Sequence, residues 1–368
     1  MSVWIKLLEK TGFSGKSQKR REGINRKKLL LLCLAEFGEC YKQTSDIKDD
    51  EIKLLAKSLP YVVRKGRAVS TVQKYKAGWD GWVRWSGAKD EVETRPAEPF
   101  YVAIYLNHLF FLNGNKGSVN AAFYGIRWGH HIVGLDSPTD NPLVQLAQEG
   151  CVRLSKGKKV RKDALPTENI KELVDKYGKD SDLGRGRFLV VCLIGFAGFF
   201  RIEELLNVQM KHVQFFPDHM KIYLPRSKGD QHRNGEEVFI ARTGTKYCPV
   251  KQVEIFLEKA GLDKNGDTEA FLVPRLFKTK KGHIASKNKG ISYTRVSEIF
   301  HENMDPTNHG LNLGLHSLRA GGASAAAQNG VSERLISKQG RWASEVARNG
   351  YIQDSKKSRL SVSLSLGL

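Results

Sequence analysis

The sequence is short of several things, and each shortage narrows what the protein can be. It has five cysteines, Cys33, Cys40, Cys151, Cys192 and Cys248, and no two stand in a C-x-x-C pair. An odd, sparse set without ligand spacing reads as a reducing, intracellular protein without a structural zinc. Cys192 lies in an apolar run and reads as a small hydrophobe. That run, Phe188–Phe200, has thirteen uncharged residues. A membrane span needs about 20, and nothing ahead of it resembles a signal peptide, so no membrane partner is expected. No internal repeat is found. No group of carboxylates has the spacing that two magnesium ions would need, so neither a metal nor another cofactor is expected.

Acids are also scarce relative to bases: 39 Asp and Glu against 60 Lys and Arg, a formal charge of +21. Such an excess repels itself unless an anion neutralises it, and nucleic acid is the default partner. A merely soluble basic protein is the plain alternative. It is disfavoured because the bases are spread through the folded part as well as the arm. At 368 residues the chain has room for about two domains, each with its own core.

Residues 1–45 read as a basic arm. "KSQKRREGINRKK", Lys16–Lys28, carries two basic clusters. It suits a nuclear import signal, a DNA-contacting arm or a solvated charge run equally well. In a eukaryotic cell the first would make the protein nuclear; otherwise it is expected in the cytoplasm. Residues 46–156 read as a small helical domain. In "STVQKYKAGWDGWVRW", Ser70 is placed as an N-cap and Val72, Tyr75, Trp79, Trp82 and Val83 recur at helical spacing. Further helices are expected from Pro99, from Ser118 to Gly134, and from Asn141-Pro142. The tryptophans read as core. "SKGKKVRKDALP", Ser155–Pro166, lacks an apolar period and marks the domain boundary; Lys158 and Lys159 are candidates to lie along a phosphate backbone.

A second domain, 157–359, follows. Thr167 is placed to cap a helix and Gly178 to end it. After the buried helix come three β-like stretches, "VQFF", "MKIYL" and "EEVFIA", with a turn at Asn234-Gly235. Then come helices from Pro249, over 292–300, over "LHSLRAGGASAAAQNG", and over "VSERLISKQG" and "SEVARNGY". The small residues of the third predict a close neighbour. The end, 360–368, alternates Leu360, Val362, Leu364, Leu366 and Leu368 with serine and glycine, which predicts a strand.

Several polar residues stand out against this pattern. Arg201 ends the buried helix, with Glu204 one turn on. Lys228 sits between the second and third β-like stretches. His316 and Arg319 share a helical face, and Trp342 precedes Tyr351 by nine residues. Each alone has a plain reading: a cap or ion pair for Arg201, a satisfied histidine, a core tryptophan, a half-buried tyrosine, a turn lysine. Together they supply what phosphodiester chemistry needs without a metal. Two guanidiniums grip non-bridging oxygens, and a histidine and an indole donate to them. A lysine serves as general acid, and a tyrosine hydroxyl as nucleophile.

At these motifs residues 70–352 resemble the tyrosine recombinases, the phage-integrase, Cre and XerD superfamily. The wording "FRIEELL", "RSKGDQ", "HSLRAGGA" and "GRW…YI" resembles most the recombinases of eukaryotic DIRS-type retroelements. The resemblance implies a mainly α fold with a small β-sheet: a helical, SAM-like core-binding domain and a mixed α/β catalytic domain. It makes Arg201, His316, Arg319, Trp342 and Tyr351 the catalytic set. It places the general acid on a β-hairpin, which favours Lys228 over Lys221 or Lys246, and it leaves Glu204 to orient a basic neighbour. Tyr351 would form a 3′-phosphotyrosyl link and release a 5′-hydroxyl. Double-stranded DNA is the implied partner, with a dimer per site and a homotetramer on two duplexes. Lys74, Arg127 and His131 are further candidates for DNA contact. The other readings are a type IB topoisomerase, a domesticated non-cleaving DNA-binding protein, and a basic structural protein.

The charge predicts a measurable behaviour. If six phosphates are neutralised, log K for non-specific DNA should fall against log[salt] with a slope of about −5. A filter-binding salt series checks this, and a slope near zero rejects nucleic acid as the partner.

Overall fold

The computed structural model describes residues 47–56, 66–155, 161–225, 235–263, 269–280, 282–304 and 310–367. The chain divides into two compact units, one ending at Lys159 and the other running from Val160. No helix of the described residues is long and apolar enough to cross a membrane.

The first unit is helical: α1 (Val69–Ser86), α2 (Pro99–Asn113), α3 (Lys116–His131) and α4 (Pro142–Leu154). Its core holds Trp79, Trp82, Val102, Leu106, Ile126 and Val144. The tryptophans are core residues, and the indole of Trp82 donates to the carbonyl of Thr94 at 2.9 Å. α1 and α3 meet backbone to backbone. A Cβ on Gly125 would lie 2.5 Å from the Trp79 nitrogen, and one on Gly78 would lie 1.9 Å from the Ala121 oxygen. Two helix starts differ from expectation. α1 is capped at Ala68, and α3 at Asn115, whose side chain accepts from the Gly117 N–H at 2.7 Å. Asn115 outranks Ser118 because its carbonyl oxygen reaches the free N–H groups of the first turn.

The second unit is built around α6 (Leu183–Ala197), flanked by α5 (Thr167–Tyr177), α8 (Pro249–Lys259) and α10 (Leu315–Gln328). Phe188 to Ile194 are all buried, which is why this stretch has no polar face. After α6 come the short α7 (Ile202–Leu206) and an antiparallel sheet of β1 (Val213–Phe215), β2 (His219–Leu224) and β3 (Glu236–Ala241). β2 pairs with β1 through Lys221↔Gln214 and with β3 through Lys221↔Phe239. A second hairpin, β4 (Pro274–Thr279) with β5 (Gly282–Gly290), was not expected. Its lysine-rich strands carry no clean alternation, so nothing in their pattern marks them as β. α9 (Tyr293–Met304), α11 (Glu333–Gly340) and α12 (Glu345–Asn349) complete the unit.

The end of the chain corrects the expectation of a strand over 360–368. Lys356–Leu364 form a helix, α13, capped by Ser355. Its alternating serines turn back on the backbone: Ser361 Oγ donates to the Ser358 carbonyl at 2.7 Å, and Ser365 Oγ to that of Ser361 at 2.7 Å. Period-two spacing specifies a strand only where a sheet edge exists to receive it. Among the described residues no sheet edge takes this segment, and the local hydrogen bonds of a helix win; Val362 and Leu364 stay exposed.

The small residues of α10 have the close neighbour that they predicted. A Cβ on Gly322 would lie 2.1 Å from the Phe196 oxygen, and one on Gly321 would lie 2.2 Å from the Leu165 oxygen. Gly322→Ala should therefore push α10 off the end of α6 and cost about 1–3 kcal/mol. Gly150→Ala in α4, with open space around it, should instead gain up to about 1 kcal/mol. Urea midpoints distinguish the two.

Candidate active site

Four chain segments of the second unit converge where α6 ends. The helix closes at Gly198, and Phe199 takes a left-handed backbone, φ +48°. This turn swings Phe200 inward, where it is fully buried, and sets Arg201 at the N-cap position of α7. The plain reading of Arg201 thus holds as geometry. Its backbone N–H donates to Glu204 Oε2 at 3.3 Å and its Nη1 to Glu204 Oε1 at 2.6 Å. What surrounds the pair goes further than a cap.

Arg319, on α10, has no solvent exposure. Its Nη1 donates to the Phe199 carbonyl and its Nη2 to the Gly340 carbonyl. Its guanidinium lies 4.4 Å from the centre of the Trp342 ring and 4.9 Å from that of Tyr351. Burial pushes its pKa down to about 9, and the nearby charges of Arg201 and Arg341 act in the same direction. His316 stands one turn earlier on α10, on an exposed position.

Trp342 follows α11 and is 7% exposed. Its ring meets Tyr351 at 5.2 Å and Phe199 at 6.2 Å. Among the described residues, three buried side-chain nitrogens have no hydrogen-bond partner: Arg319 Nε, Arg341 Nε and Trp342 Nε1. All three belong to this cluster. An unmatched buried donor costs about 1–3 kcal/mol, so their concentration here marks a place built to meet an acceptor. Tyr351 is half-buried on the turn after α12. Arg348 holds that turn, with Nη2 on Glu333 at 2.6 Å and Nη1 on Ser337 Oγ at 3.3 Å. On the other side, the N–H of Gln353 donates to Ser324 Oγ at 2.8 Å, and its side-chain oxygen accepts from the Ala164 N–H at 3.0 Å.

Glu204 is the only carboxylate tied into this cluster among the described hydrogen bonds, and a residue missed in the sequence shares it. Arg341 Nη2 donates to Glu204 Oε2 at 2.9 Å. Burial would raise the Glu204 pKa, but Arg341 and Arg201 outweigh it and hold the carboxyl below its usual range. Gln339 was also missed. Its Nε2 donates to the carbonyls of Ala197 and of Phe239 on β3, both at 3.0 Å. Only the odd phrasing "QGRW", with an arginine between glycine and tryptophan, hinted at either.

The other expected residues are placed less centrally. Lys228, Lys158 and Lys159 lie outside the described residues, as does the basic arm. The alternatives to Lys228 are engaged elsewhere: Lys221 with Glu237 at 3.1 Å and Lys246 with Asp175 at 2.6 Å. In the first unit Lys74 is exposed on α1, Arg127 pairs with Asp140 at 2.7 Å, and His131 stands 4.0 Å from the same carboxylate.

No protein-family model matches the chain. It is 28% identical over 302 residues to an integrase/recombinase XerD homolog of Selenomonas ruminantium, covering 79% of this chain and 83% of that protein. Among solved structures, the XerH site-specific recombinase bound to its palindromic difH substrate, in a post-cleavage complex, superposes with a TM-score of 0.55. The identity is 15%, over 92% of this chain and 95% of that one. A lambda integrase dimer bound to a COC′ core site gives 0.52 at 13%, over 95% and 85%. A lambda integrase tetramer bound to a Holliday junction gives 0.53 at 13%, over 92% and 89%. The architecture is the two-domain fold of the tyrosine recombinases. The sequence likeness to the XerD homolog agrees with this likeness of fold.

Glu204→Gln should destabilise the second unit by about 3–5 kcal/mol, because it leaves two cations without their carboxylate. The sign with pH follows from the depressed pKa. The contribution is full above the ordinary glutamate value, about 4.3, and is lost as pH falls through the lowered folded value. Thermal melts from pH 3 to 7 should show a gap between wild type and variant that closes at the acid end.

Proposed function

We propose that the chain is a site-specific recombinase that cuts and rejoins double-stranded DNA, with Tyr351 as nucleophile. One observation carries this reading. Arg201, Arg319, Trp342 and Tyr351, from separated parts of the unit, are gathered where three buried donors are unmatched, and the Arg319 guanidinium lies over both aromatic rings. Cations and an indole N–H at one tyrosine suit a phosphodiester that gains charge as it is attacked.

The step balances without an outside reagent. The Tyr351 Oη bonds to phosphorus as the bond from phosphorus to O5′ breaks. The Lys228 ammonium gives its proton to the departing O5′, and the tyrosyl proton passes to solvent or a nearby base. Attack by another strand's 5′-hydroxyl on the 3′-phosphotyrosyl link reverses the exchange. Arg201 and Arg319 meet the non-bridging oxygens, with His316 and the Trp342 indole as further donors. Rigid placement matters because the stabilisation must be in position before the charge develops. Lys74, Arg127, His131, Lys158 and Lys159 are proposed to contact the duplex outside this centre.

The DNA complexes of the XerH and lambda integrase neighbours support a duplex as partner, and the lambda dimer and tetramer support dimers that pair. The narrower assignment to DIRS-type elements rests on motif wording alone. The Selenomonas relative lends no support to nuclear entry.

Tyr351→Phe should abolish the covalent protein–DNA adduct on a nicked suicide duplex and leave binding within a few-fold, since only the nucleophilic oxygen is removed. An adduct that persists would pass the role to another tyrosine, with the exposed Tyr293 first. Arg201→Lys should bind DNA normally and lose about three to five decades of cleavage rate, because an ammonium lacks the planar fork. Relaxation of supercoils without any junction or exchanged product would favour the topoisomerase reading.

A further inference from the structure

Arg341 has no place in the scheme above, yet the structure invests heavily in it. It ends α11 with a left-handed backbone, φ +56°, where glycine or asparagine is usual. Its side chain is 1% exposed. A turn arginine free to reach water would avoid both the strained backbone and the buried charge.

Its hydrogen bonds show what is obtained in return. Nη1 donates to the carbonyls of Gly198 at 3.2 Å and Gln339 at 2.8 Å. Nη2 donates to the Phe199 carbonyl at 3.1 Å and to Glu204 at 2.9 Å. The face of the guanidinium lies 5.0 Å from the Phe200 ring. Arg341 therefore grips the same turn that Arg319 grips from the other side. Through Glu204 it also holds the carboxylate that aims Arg201. Without Arg341, the Arg201–Glu204 pair, 21% exposed on the arginine side, would be held only by the 3.3 Å bond from the Arg201 backbone N–H. Oε1 takes the Arg201 guanidinium, and Oε2 takes Arg341 together with the Arg201 backbone N–H, so the angle of Arg201 is set from the core.

We propose that Arg341 is a positioning residue for strand cleavage, fixing Arg201 through Glu204 and fixing the 198–199 turn that carries both. This inference rests on the recombinase reading.

The test measures single-turnover adduct formation on two suicide duplexes. One has a normal scissile phosphodiester. The other has a methylphosphonate there, whose neutral methyl group removes the charge that Arg201 has to meet. Arg341→Met should slow cleavage of the diester by about 10²-fold, the expected cost of a misplaced group. On the methylphosphonate the loss should be at least several-fold smaller, and duplex affinity should stay within about two-fold. Arg341→Lys, which keeps a charge for Glu204, should fall between wild type and Arg341→Met. Combined with Glu204→Gln, Arg341→Met should add little further loss, as partners in one chain of contacts do.

Equal losses on the two substrates, additive losses in the double variant, or a wild-type rate in Arg341→Met would overturn the inference while leaving the recombinase reading intact. Absence of any adduct with the wild-type protein overturns both. If thermal melting shows that Arg341→Met does not fold, Arg341→Lys is judged on the same two substrates by the same criteria.

Discussion

The catalytic unit depends on a single costly arrangement: two guanidiniums, those of Arg319 and Arg341, shut away from water around one turn of backbone. Both donate to the Phe199 carbonyl, and Arg341 also takes that of Gly198. Helix ends leave carbonyls without partners, and these arginines satisfy them where water cannot reach. Among the described residues, Glu204 is the carboxylate that pairs with Arg341, and aromatic rings lie against both guanidiniums. Such a cluster is a poor source of stability, since buried ions repay their desolvation only when every bond is made. Its value lies in rigidity and in the surplus of positive charge that it holds ready.

Much of the surrounding structure can be understood as making that arrangement possible. The apolar stretch of α6 from Phe188 to Ala197 carries the turn and has no polar face by which it could slip. Gly321 and Gly322 let α10 come so close that Arg319 reaches the turn's carbonyls; a side chain at either would strike the backbone of the neighbouring segment. Gly340 lets the Trp342 ring fold back over it, with 2.0 Å between ring and a would-be Cβ. Gln339 ties the same corner to β3. The tyrosine arrives by a separate route, anchored by Arg348 on one side and by Gln353 on the other. Only the convergence of these routes produces a site, and the two non-glycine residues with positive φ among the described ones, Phe199 and Arg341, both belong to it.

The helical unit follows ordinary rules more closely. Trp79 and Trp82 are buried with Trp85 and Trp128 packed against their cluster, its helices meet at glycines, and its buried histidine, His130, is satisfied on both ring nitrogens, by the Ala97 N–H at 3.0 Å and the Ile126 carbonyl at 2.9 Å. Burial lowers the pKa of that imidazole and favours its neutral form. It is a core histidine, while the solvent-facing cations of this unit remain available for an anionic partner.

The sequence by itself determined the chain's own basic charge, the helical character of both units, the three-stranded sheet and the order of the motif residues. These are carried by composition and local periodicity, which a chain displays before it folds. It also named the residue types that the proposed chemistry requires, because a phosphoryl group asks for forked cations and a nucleophile whatever the fold. The tertiary structure decided the rest. The β4–β5 hairpin forms because its strands find each other, although their lysine-rich pattern lacks a β period. The last helix forms although its pattern alternates like a strand, because no edge among the described residues receives it and its serines bond to their own turns. Arg341 and Gln339 were invisible because nothing local distinguishes a buried arginine from a solvated one. What each side chain touches depends on residues far away in the chain, and those distances close only in the folded state.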